Sequence, residues 1–321
     1  MTLRIGTRGS ALALYQARAV AGQLLAVTGV RSEIVVIKTS GDRLADAVLS
    51  DVGGKRLFVK EIEEALLAHD VDLAVHSSKD LPNELPTGLG IRAVLPRGDA
   101  RDAMVLPLSR GGPCDVADLA PRLGLDPVIG TSSVRRIAQL RRLFPNARFQ
   151  AIRGNLDTRL RKLDEGQYDA LVLAAAGLQR LQYTHRITTA LPLEACIPAP
   201  GQGIIAIETR QGDAVTESSV ARLNDARAGV ALIAEREVVA RLGGGCQLPI
   251  GAHAAIADGC LVLTAIVIAP DGSRHVQARV HGTPDRAQAI GGEAADDLLA
   301  RGAGDILAAV RRSHNVTESQ P

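Results

Sequence analysis

Up to about residue 211 the chain alternates short β-branched runs with segments of helical periodicity, and this alternation restricts the fold more than any other feature. Leu3–Gly6, Glu33–Thr39, Asp72–His76, Pro127–Gly130, Ala147–Ile152 and Tyr168–Leu173 read as strands. Between them Ala11–Leu25, Leu57–His69 and Ala174–Leu181 carry apolar residues at helical spacing, as do segments starting near Ser133 and Leu156. Strand and helix in repeated succession predict parallel sheets with helices on both faces, a doubly wound α/β class. The stretch Leu106–Pro121, with Pro107, Gly111, Gly112 and Pro113, reads as a linker or crossing loop dividing this region in two. Beyond Gln211 the texture changes. A helix over Ala228–Leu242 precedes strands at Leu261–Ile268 and Ser273–Val280, and a final helix covers Ala287–Leu299 or beyond. Strands adjacent in sequence predict an antiparallel sheet in a separate, small α+β domain. The polar end SHNVTESQP is expected to lack regular structure.

In open α/β sheets a ligand lies beyond the carboxyl ends of the strands, so the residues after each strand carry the most information. Those residues are Thr7–Ser10, Ser40–Asp42, Ser77–Asp80, Thr131–Arg136 and Arg153–Asn155. Hydroxyls and free N–H groups at helix starts suit anions, although each Ser, Thr, Asp or Asn taken singly reads as an ordinary N-cap. Caps do not need arginine, yet Arg8, Arg135, Arg136, Arg153 and Arg159 gather at these ends. Their forked guanidinium groups suit a ligand rich in carboxylate or phosphate. Bulk charge agrees that any basic site is local: 37 Lys+Arg against 35 Asp+Glu leave a formal net charge of +2, which argues against a general nucleic-acid binder. With aromatics at 2% and no Trp, stacking platforms for single strands are nearly absent.

One acid stands in this cationic set. Asp80, in HSSKDLP, reads either as a turn residue paired with Lys79 or as a carboxylate suited to proton transfer or to stabilising a cation. His76 reads equally well as a satisfied strand-end histidine and as a catalyst, and Phe58 by itself reads as core. Gly53-Gly54-Lys55 lacks the spacing of a phosphate loop. The four cysteines, Cys114, Cys196, Cys246 and Cys260, have no C-x-x-C spacing and suggest neither a zinc site nor a disulfide framework. The N-terminus shows no apolar signal core, and no stretch approaches a membrane span, so a cytoplasmic protein with free thiols and no membrane partner is expected.

Cys246 follows three glycines. One glycine would cap the preceding helix; three let the loop approach another surface with the thiol at its tip. The thiol could serve as a nucleophile with a base such as His253, or as a covalent tether for a prosthetic group. Composition does not choose between them. Two other classes compete with an enzyme of this kind: a non-enzymatic solute-binding protein, and a cysteine-nucleophile enzyme such as an acyl transferase.

The stretches GTRGSALALYQA, VGGKRLFVKEIEEALL, DLAVHSSKDLP, IGTSSVRRIAQL, IRGNLDTRLRKLDEGQYDALVLAAAGLQRL, PAPGQGIIAIE and RLGGGCQLPIGAHA carry a family signature. They resemble the porphobilinogen deaminases, also called hydroxymethylbilane synthases, over most of the chain. The resemblance implies a transferase of tetrapyrrole (haem) biosynthesis that joins four porphobilinogen molecules head to tail, with loss of ammonia. Growth starts on a dipyrromethane primer bound through a thioether to Cys246, and hydrolysis releases hydroxymethylbilane. By the same resemblance Asp80 is the catalytic carboxylate near the pyrrole nitrogens. Arg8, Ser10, Lys79, Ser133, Arg135, Arg136, Arg153 and Arg159 bind cofactor or substrate carboxylates, with Thr131, Ser132 and Gly154 beside them. Phe58 lies against pyrrole rings, and Lys55 and Gln202 add contacts. No metal and no stable protein partner is implied, and a monomer is expected.

The implied fold has two doubly wound domains like type II periplasmic binding proteins plus a C-terminal α+β domain. Residues 1–98 with 203–218 would form the first, 99–202 the second and 219–321 the third. Gly203–Glu208 returns as a strand to the first, and the hinge crossings lie near Val94–Ala103 and Pro198–Gly203. Two positions depart from the family pattern. Ser78 replaces a larger apolar residue, which would loosen packing under Asp80, and Gly243 replaces an acid, which would leave the Cys246 loop more mobile.

Overall fold

The computed structural model describes residues 2–43, 58–244 and 248–318. Among them thirteen strands form three sheets. The first sheet runs β2 (Arg31–Val36), β1 (Thr2–Thr7), β3 (Leu73–Ser77), β10 (Ile205–Arg210), β4 (Leu89–Val94). Its strands β1, β2 and β3 are parallel, whereas β10 is antiparallel to both of its neighbours. Helix α1 (Ala11–Thr28) starts at Ser10, whose Oγ accepts from Ala13 N, and stops at Gly29, whose φ of 72° suits glycine. Its buried Ala17, Val20 and Leu24 recur at helical spacing and pack on Leu3 and Ile5 of β1. Two shorter helices, α2 (Ser40–Arg43) and α3 (Lys60–Leu67), also precede β3. Only the part of the Leu57–His69 expectation from Phe58 onward lies within the described residues.

The second sheet repeats this plan: β7 (Arg148–Gln150), β6 (Val128–Gly130), β8 (Ala170–Ala174), β5 (Asp102–Val105), β9 (Thr189–Ala190). Strands β6, β7 and β8 are parallel, and β5 is antiparallel to β8 and β9. Around it lie α4 (Val116–Leu123), α5 (Val134–Leu140), α6 (Leu156–Asp164) and α7 (Ala175–Arg180). Two readings need correction here. The sheets are mixed rather than parallel, because each contains one strand reached by crossing from the other sheet; local periodicity reports strand type but not direction. Nor is Leu106–Pro121 a linker: Leu106 and Leu119 are buried in one cluster with Met104, Ile129 and Leu140. Pro107, Gly111, Gly112 and Pro113 lie ahead of α4 in the second unit, and Pro121 lies within that helix.

The chain crosses between β4 and β5 and returns ahead of β10. The two crossing segments bond to each other, Leu95 N to Ile205 O at 3.0 Å and Gly98 N to Gly203 O at 3.0 Å. Gly203 has φ of 87°, and a Cβ there would stand 2.7 Å from Gly98 O, so no other residue fits without moving the partner strand.

After α8 (Ala214–Ala221), which packs on the first sheet through Val220, comes the long helix α9 (Ala226–Arg241). An antiparallel meander follows, β11 (Ile250–Ala257), β12 (Cys260–Ile268), β13 (His275–Gly282), and then α10 (Ala287–Ala300) and α11 (Ala303–Glu318). The alternate buried residues of β11 and β12 pack under α9, α10 and α11 in one core. Helix α11 runs to Glu318, so most of the polar end expected to be irregular is helical. The third unit touches both others: Leu232 and Ala228 of α9 join a cluster with Leu81 and Ile204, and Ile266 and Ile268 of β12 pack on Ala138 of α5. Among the described residues no helix is long and apolar enough to cross a membrane.

Candidate functional site

The strand ends singled out by composition converge beside the crossing segments. Strand β3 runs into one 3-10 turn, Ser78–Asp80, held by Ser78 N donating to Ile204 O at 2.9 Å and Leu81 N donating to Ser78 O at 3.2 Å. Ser78 and Leu81 are buried on either side of Asp80, which is itself exposed. Asp80 makes no hydrogen bond among the described residues, but its charge reaches Lys79 on its own turn and Arg159 on α6. Lys79 Nζ donates to Gln202 Oε1 at 3.3 Å. Burial lowers its ammonium to about 8, helped by Arg136 and opposed by Asp80 and Asp102. Burial likewise lowers Arg159, with Arg136 adding to the effect and Asp80 opposing it.

On the first sheet, Arg8 follows β1 and its guanidinium lies 4.3 Å from the centroid of the Phe58 ring. A Cβ on Gly41 would collide with that ring, so α2 needs glycine to admit it. Phe58 is half-buried, not core. On the second sheet, Thr131 Oγ1 accepts from Ser133 N at 3.3 Å, and Ser132 Oγ exchanges hydrogen bonds with the Ile152 backbone at 3.0 and 3.1 Å. Ser133 and Asn155 cap α5 and α6. These hydroxyls are thus used as caps and ties, as the plainer reading had it, and at the same time place Arg153 and Arg159 at the sheet's mouth. Gly154 has φ of 106°, and Arg159 Nε donates to its carbonyl at 2.8 Å. Arg153 is half-buried and makes no ion pair among the described residues.

Arg135 and Arg136 do something composition did not reveal. Both turn inward onto one buried carboxylate, Asp102 at the start of β5, at 2.8 and 2.6 Å. Arg135 also donates to Ile197 O at 2.6 Å and Arg136 to Val172 O at 2.9 Å. Burial by itself would raise the Asp102 carboxyl, but the two arginines outweigh it and hold it well below the usual range. Gln202, fully buried, completes the node: its Nε2 donates to Asp102 Oδ1 at 2.9 Å and to Ala100 O at 2.7 Å while its Oε1 receives Lys79. A chain of contacts therefore links the Asp80 turn to the second sheet through Lys79, Gln202, Asp102 and the arginine pair. Asp102 was missed because nothing local marks it; it lies in RGDARD, where an acid among arginines reads as surface.

A second node sits on the third unit. Glu235 of α9, fully buried, accepts from Arg97 Nη1 at 2.6 Å, Gly201 N at 2.6 Å and Ala254 N at 2.7 Å. It joins both crossing segments to β11. His76 is the satisfied buried histidine, with Nε2 3.1 Å from Glu208 Oε2. Burial pushes the Cys196 thiol up to about 12, with Asp102 adding to the effect, so it is no nucleophile. Ser10 is half-buried at the head of α1. Cys246 and Lys55 lie outside the described residues. The loop leaves α9 in defined form: Gly243 has φ of 59°, and Arg311 Nη2 donates to the carbonyls of Leu242 and Gly243 at 3.0 and 2.8 Å. The first two glycines of the run are thus helix cap, as one of the readings required.

Comparison with known proteins gives this arrangement a family. The family model "Porphobilinogen deaminase, dipyromethane cofactor binding domain" matches residues 3–218, and "Porphobilinogen deaminase, C-terminal domain" matches residues 230–300. The chain is 46% identical to a porphobilinogen deaminase of Syntrophobacter fumaroxidans over 97% of its own length and 98% of the relative's. It is also 46% identical to the porphobilinogen deaminase of Thiobacillus denitrificans, over 96% and 99%. Among solved structures, an ancestral cationic amino acid solute binding protein matches at 16% identity with a TM-score of 0.42, over 69% of this chain and 87% of that one. With matched models spanning most of its length and relatives this similar end to end, the chain belongs to the porphobilinogen deaminase family, the hydroxymethylbilane synthases.

Proposed function

We propose that the protein joins four porphobilinogen molecules head to tail with loss of ammonia and releases hydroxymethylbilane by hydrolysis, with Asp80 as its catalytic carboxylate and Cys246 as the thioether anchor of a dipyrromethane. The observation that carries the site assignment is the setting of Asp80: one exposed carboxylate, without hydrogen bonds of its own among the described residues, facing Lys79 and Arg159. The cofactor-binding family domain covers this region, and its donor set fits a group bearing several carboxylates. Arg8 follows β1, and Arg153 and Arg159 both follow β7; all three are half-buried, which leaves each guanidinium partly desolvated yet open to a ligand carboxylate. When bound, dipyrromethane supplies the pyrrole end onto which new units are joined.

The chain's own groups then divide the work. Arg8, Lys79, Arg153 and Arg159 hold carboxylates of cofactor and substrate, with Ser10, Thr131, Ser132, Ser133 and Gly154 shaping the strand ends between them. Phe58, already stacked on Arg8, presents a ring face, and Lys55 is a further cation. Asp80 stabilises the cation left when the substrate loses ammonia, a charge that develops only in the reaction. Arg135, Arg136 and Gln202 act chiefly by holding the Asp102 node. Residues 1–98 with 203–218, 99–202 and 219–321 are the three working domains, and the enzyme acts as a cytoplasmic monomer.

Intact mass tests the tether. The purified protein should exceed its sequence mass by two linked pyrrole units, and Cys246→Ser should not. A bare mass that stays bare after addition of porphobilinogen would remove the tether. Asp80→Asn should still bind substrate but turn over about 10²-fold more slowly; near-normal turnover would mean another carboxylate does the work.

A further inference from the structure

We propose that Arg236 of α9 is a positioning residue for Asp80, fixing the loop that carries this carboxylate to the helix that leads into the Cys246 loop. The inference rests on the reading of Asp80 as the working carboxylate. Asp80 has no hydrogen bond of its own among the described residues, so its place is set by the backbone on either side. On the N-terminal side the turn is held by Ser78 N on Ile204 O. On the C-terminal side α9 makes two of the contacts that hold it. Leu81 is buried in a cluster with Leu232 and Ala228. One nitrogen of Arg236, Nη2, donates to two successive carbonyls, Pro82 O at 2.8 Å and Asn83 O at 2.7 Å. Those carbonyls lie two and three residues beyond Asp80.

Donation from a charged guanidinium makes each of these bonds stronger than a neutral pair, and a proline carbonyl next to a fixed φ is a rigid acceptor. The neighbouring residue of the same helix, Glu235, holds Gly201 N and Ala254 N, so α9 itself is fixed to the second crossing segment and to β11. The helix ends at Arg241, five residues before Cys246. One rigid element therefore sets the distance between the loop of the catalytic carboxylate and the root of the loop bearing the anchor cysteine. A carboxylate misplaced by about 1 Å can cost on the order of 10²-fold in rate. The arginines read as binding carboxylates, Arg8, Arg153 and Arg159, lie on other segments, so binding should be nearly untouched.

The test uses full-length enzyme purified with its cofactor. Arg236→Met keeps the apolar stem and removes the donors; Arg236→Lys keeps the charge. Amide hydrogen exchange over residues 78–88 and steady-state kcat and KM for porphobilinogen are measured on each. Arg236→Met should exchange faster at 81–85 than wild type, with β3 and α5 unchanged, and should lose at least about 10-fold in kcat with KM within about 2-fold. Arg236→Lys should fall between, and carries the test alone if the Met variant does not fold. Unchanged exchange overturns the anchor, and freed exchange with wild-type kcat overturns the positioning role. Asp80→Asn runs in parallel. If it turns over normally, the catalytic reading of Asp80 fails, while the exchange result still decides whether Arg236 holds the loop.

Discussion

Lys79 is an ammonium ion held where desolvation works against its charge, and its lowered value of about 8 means it loses that charge just above neutral pH. Below pH 8 it is a cation available to a carboxylate; above, it is a neutral amine. The affinity for porphobilinogen should therefore weaken as pH rises through about 8. Lys79→Arg, which stays charged, should flatten this alkaline rise in KM; a wild-type KM flat from pH 7 to 9 would show that Lys79 binds no substrate carboxylate. At this scale the sequence was legible where a side chain's chemistry is unusual for its neighbourhood. Asp80 among cations and Arg153 at a strand end stood out for that reason. It was silent where a partner is remote: Arg135 and Arg136 both pair with Asp102, 33 and 34 residues away, and no local spacing announces that carboxylate. Ser78, expected to loosen its surroundings, is buried so closely against Gly201 that a Cβ there would come within 2.6 Å of its Oγ.

Between elements, α5 is joined to β5 in the second unit through Asp102, which pairs with both Arg135 and Arg136. Replacing Asp102 by Asn leaves two buried arginines short of a counter-charge, and the loss of stability in urea should be about 3–5 kcal/mol at pH 7. The sign with pH follows from the depressed carboxyl: the contribution is complete above the unfolded-state value near 4, and is lost as pH falls toward the much lower folded-state value. Wild type should thus lose stability below about pH 4, and Asp102→Asn should lose less of it there. A parallel fall in the two proteins would mean the charge is not what joins these elements. Most elements were readable because 2-residue and 3.6-residue periodicities are local properties of a chain. The antiparallel courses of β5 and β10 were not, since direction depends on which sheet the chain has just left.

Across the whole molecule, Glu235 gathers Arg97, Gly201 and Ala254, one from each crossing segment and one from the third sheet. Glu235→Leu would strand a largely buried arginine and two backbone N–H groups, and should cost about 3–5 kcal/mol in global unfolding. Exchange should rise together in residues 95–101 and 198–204; loosening confined to the third unit would show that the crossings are held by other means. The sequence by itself determined the family, the strand and helix content, the change of texture after Gln211 and the cationic character of the strand ends, because each is written in residue types at short spacing. Only the tertiary structure decided which arginines turn inward onto a buried carboxylate, where the chain changes sheet, and that Arg236 of α9 bonds to the carbonyls after Asp80. Those outcomes depend on pairs such as Arg236 with Pro82 and Glu235 with Arg97, separated by 154 and 138 residues, and their geometry exists only once the three units are packed.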